Sequence, residues 1–283
     1  MILVTGASGN VGREVVAQLV AAGHGVRVLA RDPAKARAAV HRDVEVVQGD
    51  LADPTTLDDA LSGVERMFSL STGPDLGAHE ANLAAAATRA GSTRVVKLSV
   101  TGAGSGSDNA IVRWHEAGEN AFRDSGLAWT FVRPGAFMSN ALGWAPSIKA
   151  LGKVFLPQGQ GKMVPVHPRD IAAVSVAALT KGGHEGKSYS LTGGVALSAG
   201  EMVAVLSEVL GTSIEYVAVT EDVARNGMLK AGMPLPVVDA LLEWTASTRA
   251  GESAQPLPTV QQILGRQPIS WREWVIENAA AFS

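Results

Sequence analysis

The chain has 283 residues, 46% of them hydrophobic and 18% charged, with a net charge of −3 and no cysteine. A chain of this length buries about three-quarters of the surface it exposes when unfolded, which suits one large domain or a domain with a small appended lobe. No basic cluster is present to neutralise phosphates, so nothing points to nucleic acid. The lack of cysteine removes disulfides, thiolate nucleophiles and cysteine metal sites together, and fits a reducing compartment. The apolar run Ile2-Leu3-Val4 begins at once and is too short for the core of a signal peptide. No stretch approaches the roughly 20 apolar residues that span a bilayer. A cytoplasmic protein with no membrane partner is expected.

Along residues 1–135, short β-branched runs alternate with helical stretches. Strands are expected at Ile2–Thr5, Val26–Ala30, Val44–Gln48, Arg66–Leu70, Arg94–Leu98 and Thr130–Val132. Helices are expected between them at Val11–Ala22, Pro33–Val40, Pro54–Leu61, His79–Ala90 and Ile111–Asp124. Asp53-Pro54 shows the start signal, an N-cap acceptor followed by a proline whose missing N–H is harmless in the first turn. This alternation implies right-handed βαβ units and an α/β fold with a Rossmann-type, doubly wound parallel sheet.

After Pro134 the rhythm loosens. Lys153–Val166 reads as two short strands around a Gln158-Gly159-Gln160-Gly161 turn. A helix over Pro168–Thr180, a strand at Ser188–Leu191, a helix over Ser198–Leu210 and a strand at Ile214–Val219 follow, then a mostly helical tail interrupted by a loop at Gly251–Pro258. The expected organisation is a dinucleotide-binding core over 1–135. Residues 136–283 form a mixed segment, completing the sheet with about 165–210 and building a smaller substrate lobe. Substrate is expected in the cleft between core and lobe.

Residues Gly6, Gly9 and Gly12 stand in the pattern G-x-x-G-x-x-G directly between the first strand and the first helix. That is where phosphate binding needs them: Gly6 for the tight turn, Gly9 for close approach of the backbone to a pyrophosphate, Gly12 for helix–strand packing. The helix starting near Val11 offers free N–H groups and the positive end of its dipole. At the end of the second strand an NAD site requires a carboxylate for the ribose 2′-hydroxyl. Here Ala30 is followed by Arg31, with Lys35 one turn on, a pair suited to a 2′-phosphate. Asp32 is open to two roles, ribose ligand or repulsive neighbour. NADP(H) is favoured over NAD(H), and Asp50 and Leu51 are placed beside the adenine.

TGASGNVG at the start, ARDPAKA after the second strand, GDL at Gly49–Leu51 and RPG at Arg133–Gly135 resemble the NmrA-like branch of atypical short-chain dehydrogenases/reductases. The likeness continues through Arg169–Ala172, Leu191-Thr192-Gly193 and Trp271–Trp274, and so covers almost the whole chain. The family includes NAD(P)H-dependent quinone oxidoreductases, a triphenylmethane-dye reductase and regulators that sense dinucleotide without turnover. The resemblance implies that Gly6, Ser8, Gly9, Asn10 and Val11 hold the pyrophosphate and that Arg31 holds the 2′-phosphate. It places Leu70 and Ser71 by the adenosine ribose, Lys97 and Ser99 near the nicotinamide ribose, and Pro134, Gly135 and Phe137 along the nicotinamide ring. It puts His115 facing that ring and Asn140 at the border of the pocket.

Better-known members of the superfamily protonate a carbonyl with a tyrosine followed four residues later by lysine. The two tyrosines here, Tyr189 and Tyr216, have no such partner and lie in expected strands. The corresponding helix carries His115 and, one turn on, Glu119. His115 is the candidate proton donor, since its ordinary pKa near 6.5 is close to working pH. Glu119 is read as either its orienting partner or a solvated helix residue, His167 and Asp170 as structural. The other reading is that the substrate is electrophilic enough to need little acid. Phe137, Met138 and Trp144 are candidates for an apolar wall against an aromatic substrate or, equally, for core of the smaller lobe, and Asn140 is a further candidate substrate contact. Scattered histidines without ligand spacing argue against a metal, and no Gly-x-Ser-x-Gly elbow is present. The expected function is hydride transfer from NAD(P)H to a small electrophilic, aromatic acceptor such as a quinone, imine or dye. The alternative is a non-catalytic NADP(H) sensor, which alone would need a protein partner.

Overall fold

Three consecutive apolar residues start the sheet: Ile2–Val4, all buried, form β1. A computed structural model describes residues 1–40 and 43–283. After β1 the chain runs through α1 (Asn10–Ala21), β2 (Val26–Ala30), α2 (Pro33–Ala39), β3 (Glu45–Gln48), α3 (Leu57–Leu61), β4 (Arg66–Ser69), α4 (Leu76–Arg89), β5 (Arg94–Leu98), α5 (Ala110–Asp124) and β6 (Ala128–Pro134). Then come α6 (Ala145–Leu151), β7 (Lys153–Leu156), β8 (Lys162–Met163), α7 (Pro168–Thr180), β9 (Lys187–Leu191), β10 (Leu197–Ser198), α8 (Ala199–Leu210) and β11 (Glu215–Ala218). Four helices close the order: α9 (Glu221–Lys230), α10 (Leu235–Arg249), α11 (Thr259–Leu264) and α12 (Trp271–Asn278).

Two units emerge, residues 1–134 with 168–191, and residues 135–167 with 192–283. In the first, seven strands lie in the order β3-β2-β1-β4-β5-β6-β9, every neighbouring pair parallel. The order reverses between β1 and β4, the switch point at which open α/β sheets bind ligands beyond the carboxyl ends of their strands. The segment that rejoins this sheet is α7 with β9, while 192–210 lies in the second unit. Local chemistry explains the boundaries. Asp32 caps α2 by accepting from the Lys35 N–H, with Pro33 in the first turn, and Asn109 caps α5. Leu3, Leu61, Met67, Leu83, Val95, Phe122 and Phe131 share one apolar core under α3, α4 and α5. Elsewhere on this unit α1 and α7 meet, where the Gln18 side chain donates to the Arg169 carbonyl (3.1 Å).

The second unit packs around Trp271, Trp274, Met202, Leu206 and Ile148. The Trp271 and Trp274 rings stack at 4.9 Å, and the Trp271 indole N–H donates to the Met202 carbonyl (3.0 Å). Capping boxes at Ser198/Glu201 and Ser270/Glu273 start α8 and α12. The two strands read around the Gln158–Gly161 turn are present but do not pair with each other. β7 pairs in parallel with β11 and β8 antiparallel with β10, so their backbone groups are satisfied by strands later in the chain. Close packing at Gly161 accompanies this, since a Cβ there would lie 2.5 Å from the Thr248 carbonyl oxygen.

Candidate active site

Residues 5–9 join β1 to α1. The Thr5 hydroxyl donates to the Leu70 carbonyl (3.0 Å) and accepts from the Leu70 N–H (2.7 Å), clamping the ends of β1 and β4 together. Gly6 has φ +65°, and a Cβ there would sit 2.7 Å from the Leu70 side chain. A Cβ on Gly12 would lie 2.1 Å from the Gly6 oxygen. Both glycines are therefore required by space, and Gly6 by conformation as well. Gly9 caps α1 with no side-chain acceptor, and the first turn of α1 holds no acidic residue. Ser8, Gly9 and Asn10 are exposed, with Val11 and Gly12 buried behind them. The cleared loop and uncapped helix start fit a pyrophosphate.

Beyond β2, Arg31 and Lys35 are exposed. Asp32 is occupied in capping: its Oδ1 accepts from the Lys35 N–H at 3.0 Å. Asp50 behaves similarly, its Oδ1 accepting from the Ala52 N–H (3.0 Å), while the Leu51 carbonyl accepts from the Asn82 amide (2.9 Å).

At the carboxyl ends of β4, β5 and β6 lies a charged floor. Lys97 is fully buried. Its ammonium donates to the Leu98 carbonyl (3.1 Å), lies 3.5 Å from Glu80 Oε1 and 3.3 Å from His115 Nδ1. Ser69 donates to Glu80 Oε2 and Ser71 donates to Glu80 Oε1 (2.8 Å). Beside it, Glu119 is fully buried. It accepts from Ser99 (2.6 Å), from Arg133 through Nε (2.8 Å) and Nη2 (2.5 Å), and from Arg123 (2.6 Å). Arg123 also lies over the Phe131 ring at 4.8 Å.

The pKa directions follow from these contacts. Burial pulls the His115 imidazole down to about 3, helped by the Lys97 charge. Burial lowers Lys97, opposed by Glu80 and Glu119. For Glu119 burial works upward, but hydrogen bonds from Arg133 and Ser99, with the charges of Arg133 and Arg123, hold it below the ordinary carboxylate range. Two expectations are thereby corrected. His115 does not keep an ordinary pKa and is a neutral imidazole at working pH. Glu119 is neither solvated nor the orienter of His115; it anchors two guanidinium groups. The partner of His115 is Lys97, and Lys97 and Ser99 are turned into the protein on Glu80 and Glu119.

The tyrosines are tied elsewhere. Tyr189 Oη lies 2.8 Å from His184 Nδ1, and Tyr216 donates to the Gly159 carbonyl (3.2 Å). Burial raises both phenols, the opposite of what an acid catalyst needs. Pro134 ends β6, its carbonyl accepting from the Thr101 N–H (3.0 Å). In the second unit Phe137 is half-buried and Asn140 exposed. Met138 is 2% exposed inside the core, so it packs that unit and is withdrawn as a substrate contact. Trp144 is half-buried, its ring 6.2 Å from that of Trp271. His167, 4% exposed, lies 3.2 Å from Glu277.

The family described as NAD(P)H-binding matches residues 6–182, more than half the chain and the stretch that holds loop and floor. The chain belongs to this family. It is 44% identical to a (4-alkanoyl-5-oxo-2,5-dihydrofuran-3-yl)methyl phosphate reductase of Streptomyces griseus, covering 100% of this chain and 99% of that one. It is 41% identical to an NAD(P)H azoreductase of Xenophilus azovorans, again over 100% and 99%. The structure of an Escherichia coli NADPH-dependent quinone oxidoreductase in complex with NADPH superposes with a TM-score of 0.85 at 27% identity, over 98% and 99% of the chains. The chain is an NAD(P)H-dependent oxidoreductase, and the NmrA-like, Rossmann-type expectation holds. Among the described residues no helix is long and apolar enough to cross a membrane.

Proposed function

We propose that this enzyme reduces small, conjugated electrophiles (quinones, azo or imine bonds, doubly activated alkenes), using NADPH in preference to NADH. The observation that carries this reading is His115 set 3.3 Å from the buried Lys97 ammonium, a setting that favours a neutral imidazole, where the superfamily's tyrosine acid would stand. Hydride addition to a simple ketone builds up an alkoxide that needs a proton. A neutral imidazole gives a hydrogen bond but no readily transferred proton, so acceptors must spread the developing charge themselves. The names of the two relatives fit this requirement. An azo bond, and a ring alkene conjugated to two carbonyl groups, both accept hydride without strong acid.

When bound, NAD(P)H supplies the hydride, and the proton that completes the reduction comes from water. The chain's own residues bind and orient. The backbone over Gly6, Ser8, Gly9, Asn10, Val11 and Gly12 receives the pyrophosphate, and Arg31 with Lys35 the 2′-phosphate. Asp50, Leu51, Leu70 and Ser71 border the adenosine, and Ser99, Pro134 and Gly135 the nicotinamide side. His115 donates its free ring N–H toward the acceptor. Phe137, Asn140 and Trp144 of the second unit are proposed substrate-binding residues. Preference for NADPH rests on Arg31 and Lys35 standing exposed while Asp32 is engaged as a cap. The absence of cysteine fits work in the cytoplasm.

The test follows NADPH and NADH consumption by absorbance against quinones, azo dyes, imines, doubly activated alkenes and simple ketones. Oxidation with the conjugated acceptors, faster with NADPH and negligible with simple ketones, is expected. Turnover of simple ketones as fast as quinones, or no turnover of any acceptor, would overturn the reading.

A further inference from the structure

We propose that Lys97 is the positioning residue of the reductase site, fixing His115 as the neutral tautomer whose proton sits on Nε2. The inference rests on the reading that His115 faces the acceptor, and it adds the group that decides which ring nitrogen can donate. Lys97 Nζ has three hydrogens, and three acceptors surround it: the Leu98 carbonyl at 3.1 Å, Glu80 Oε1 at 3.5 Å and His115 Nδ1 at 3.3 Å. An ammonium offered to Nδ1 finds the ring lone pair there, which leaves the proton on Nε2.

The charge on Lys97 is set by Glu80. That carboxylate is fully buried, and the groups facing it are the Ser69 and Ser71 hydroxyls and Lys97. With a neutral amine, Glu80 would be a buried charge without a counter-charge, which is strongly unfavourable. The remaining charges around the pair are Glu119 and Arg123 of α5 and Arg133 of β6, and Glu119 binds both guanidinium groups. Of the charged groups on α4, α5, β5 and β6, Lys97 is the one whose charge reaches the imidazole, and it opposes a second positive charge on the ring. The packing of α4 and α5 makes this arrangement possible. A Cβ on Gly118 would lie 2.8 Å from Lys97 Cε and 2.9 Å from Glu80 Cγ, so glycine there admits the pair beneath the helices.

Long-range 1H–15N correlation NMR of the full-length protein, labelled at histidine, reads the tautomer without turnover, with His115 assigned from the signals lost in His115→Asn. The expected wild-type result is a neutral Nε2–H imidazole that does not titrate between about pH 5 and 8. In Lys97→Met the ring should become a tautomer mixture that titrates in that window. Its kcat should fall about tenfold or more with little change in KM for NADPH, as for loss of an interaction made in the transition state, and Lys97→Arg should restore the Nε2–H state. Because Lys97→Met strands Glu80, the double variant Lys97→Met/Glu80→Gln repeats the measurement with both charges removed. An Nδ1–H or imidazolium His115 in the wild type, or a His115 spectrum unchanged by either variant, would overturn the inference. Absence of acceptor-dependent NADPH oxidation by the wild type would remove the reductase reading instead, whatever the tautomer.

Discussion

The phosphate loop follows β1, and the charged floor lies at the carboxyl ends of β4, β5 and β6 in the same parallel sheet, yet they are built on different principles. The loop is a backbone device: Gly6, Gly9 and Gly12 clear space and leave N–H groups free within a few consecutive residues. The floor is a side-chain device assembled from α4, β5, α5 and β6, most of whose partners stand 9 to 20 positions apart. A site written in consecutive backbone positions survives translation into sequence pattern. One written in distant side chains depends on helix packing that no short window contains.

Several substitutions would break or sharpen this contrast. The largest effect is expected in the floor. Glu119→Ala leaves Arg133 and Arg123 without their buried carboxylate, and a loss of about 3–5 kcal/mol in unfolding free energy is expected by denaturant titration. Retention of wild-type stability would show that the network contributes nothing to the fold. Next is the loop. Gly12→Ala forces a methyl against the Gly6 oxygen, 2.1 Å away, with an expected cost of about 1–3 kcal/mol and loss of measurable dinucleotide affinity by calorimetry. A variant binding NADPH normally would mean that the loop is not the pyrophosphate cradle.

Smaller again is Arg31→Ala. Removing one charge-assisted contact should weaken NADPH about tenfold or more while leaving NADH almost unchanged. Equal losses for both cofactors would remove Arg31 from the 2′-phosphate. Comparable in size is a pH dependence of stability. The unfolded chain protonates His115 near its ordinary 6.5, whereas the folded protein does so only near 3. Folded protein therefore binds fewer protons between these values, and stability falls as pH drops through that window. His115→Gln should lessen that decline in melts recorded at about pH 7 and pH 5.

Much of the first unit was legible. Strand–helix alternation and the glycine spacing located the parallel sheet and the loop to within a residue or two, because both follow from local periodicity and turn chemistry. The second unit was legible as elements but not as pairings: β7 and β8 found partners in β11 and β10, which lie later in the chain. Met138 reads from the sequence as either an apolar wall for substrate or core of the smaller lobe, and burial in one cluster with Trp271 and Trp274 claims it for the core. Glu80 passed unnoticed because an alanine-rich helix offers no sign of which side faces inward. The available signal was glycine. Gly77 and Gly118 sit inside helices, where glycine weakens the helix unless close approach requires it. Cβ atoms at those positions would meet Ala117 at 2.8 Å and Leu76 at 2.6 Å.

The central claim is that hydride transfer here is assisted by a neutral imidazole and not by a proton-donating acid. The pH dependence of kcat with the best quinone acceptor tests it most directly. A rate that stays flat from about pH 5 to 8, crossing the ordinary histidine pKa without inflection, is predicted. A rate that falls with a midpoint near 6.5 and loses that inflection in His115→Asn would show a protonated histidine at work and contradict the account.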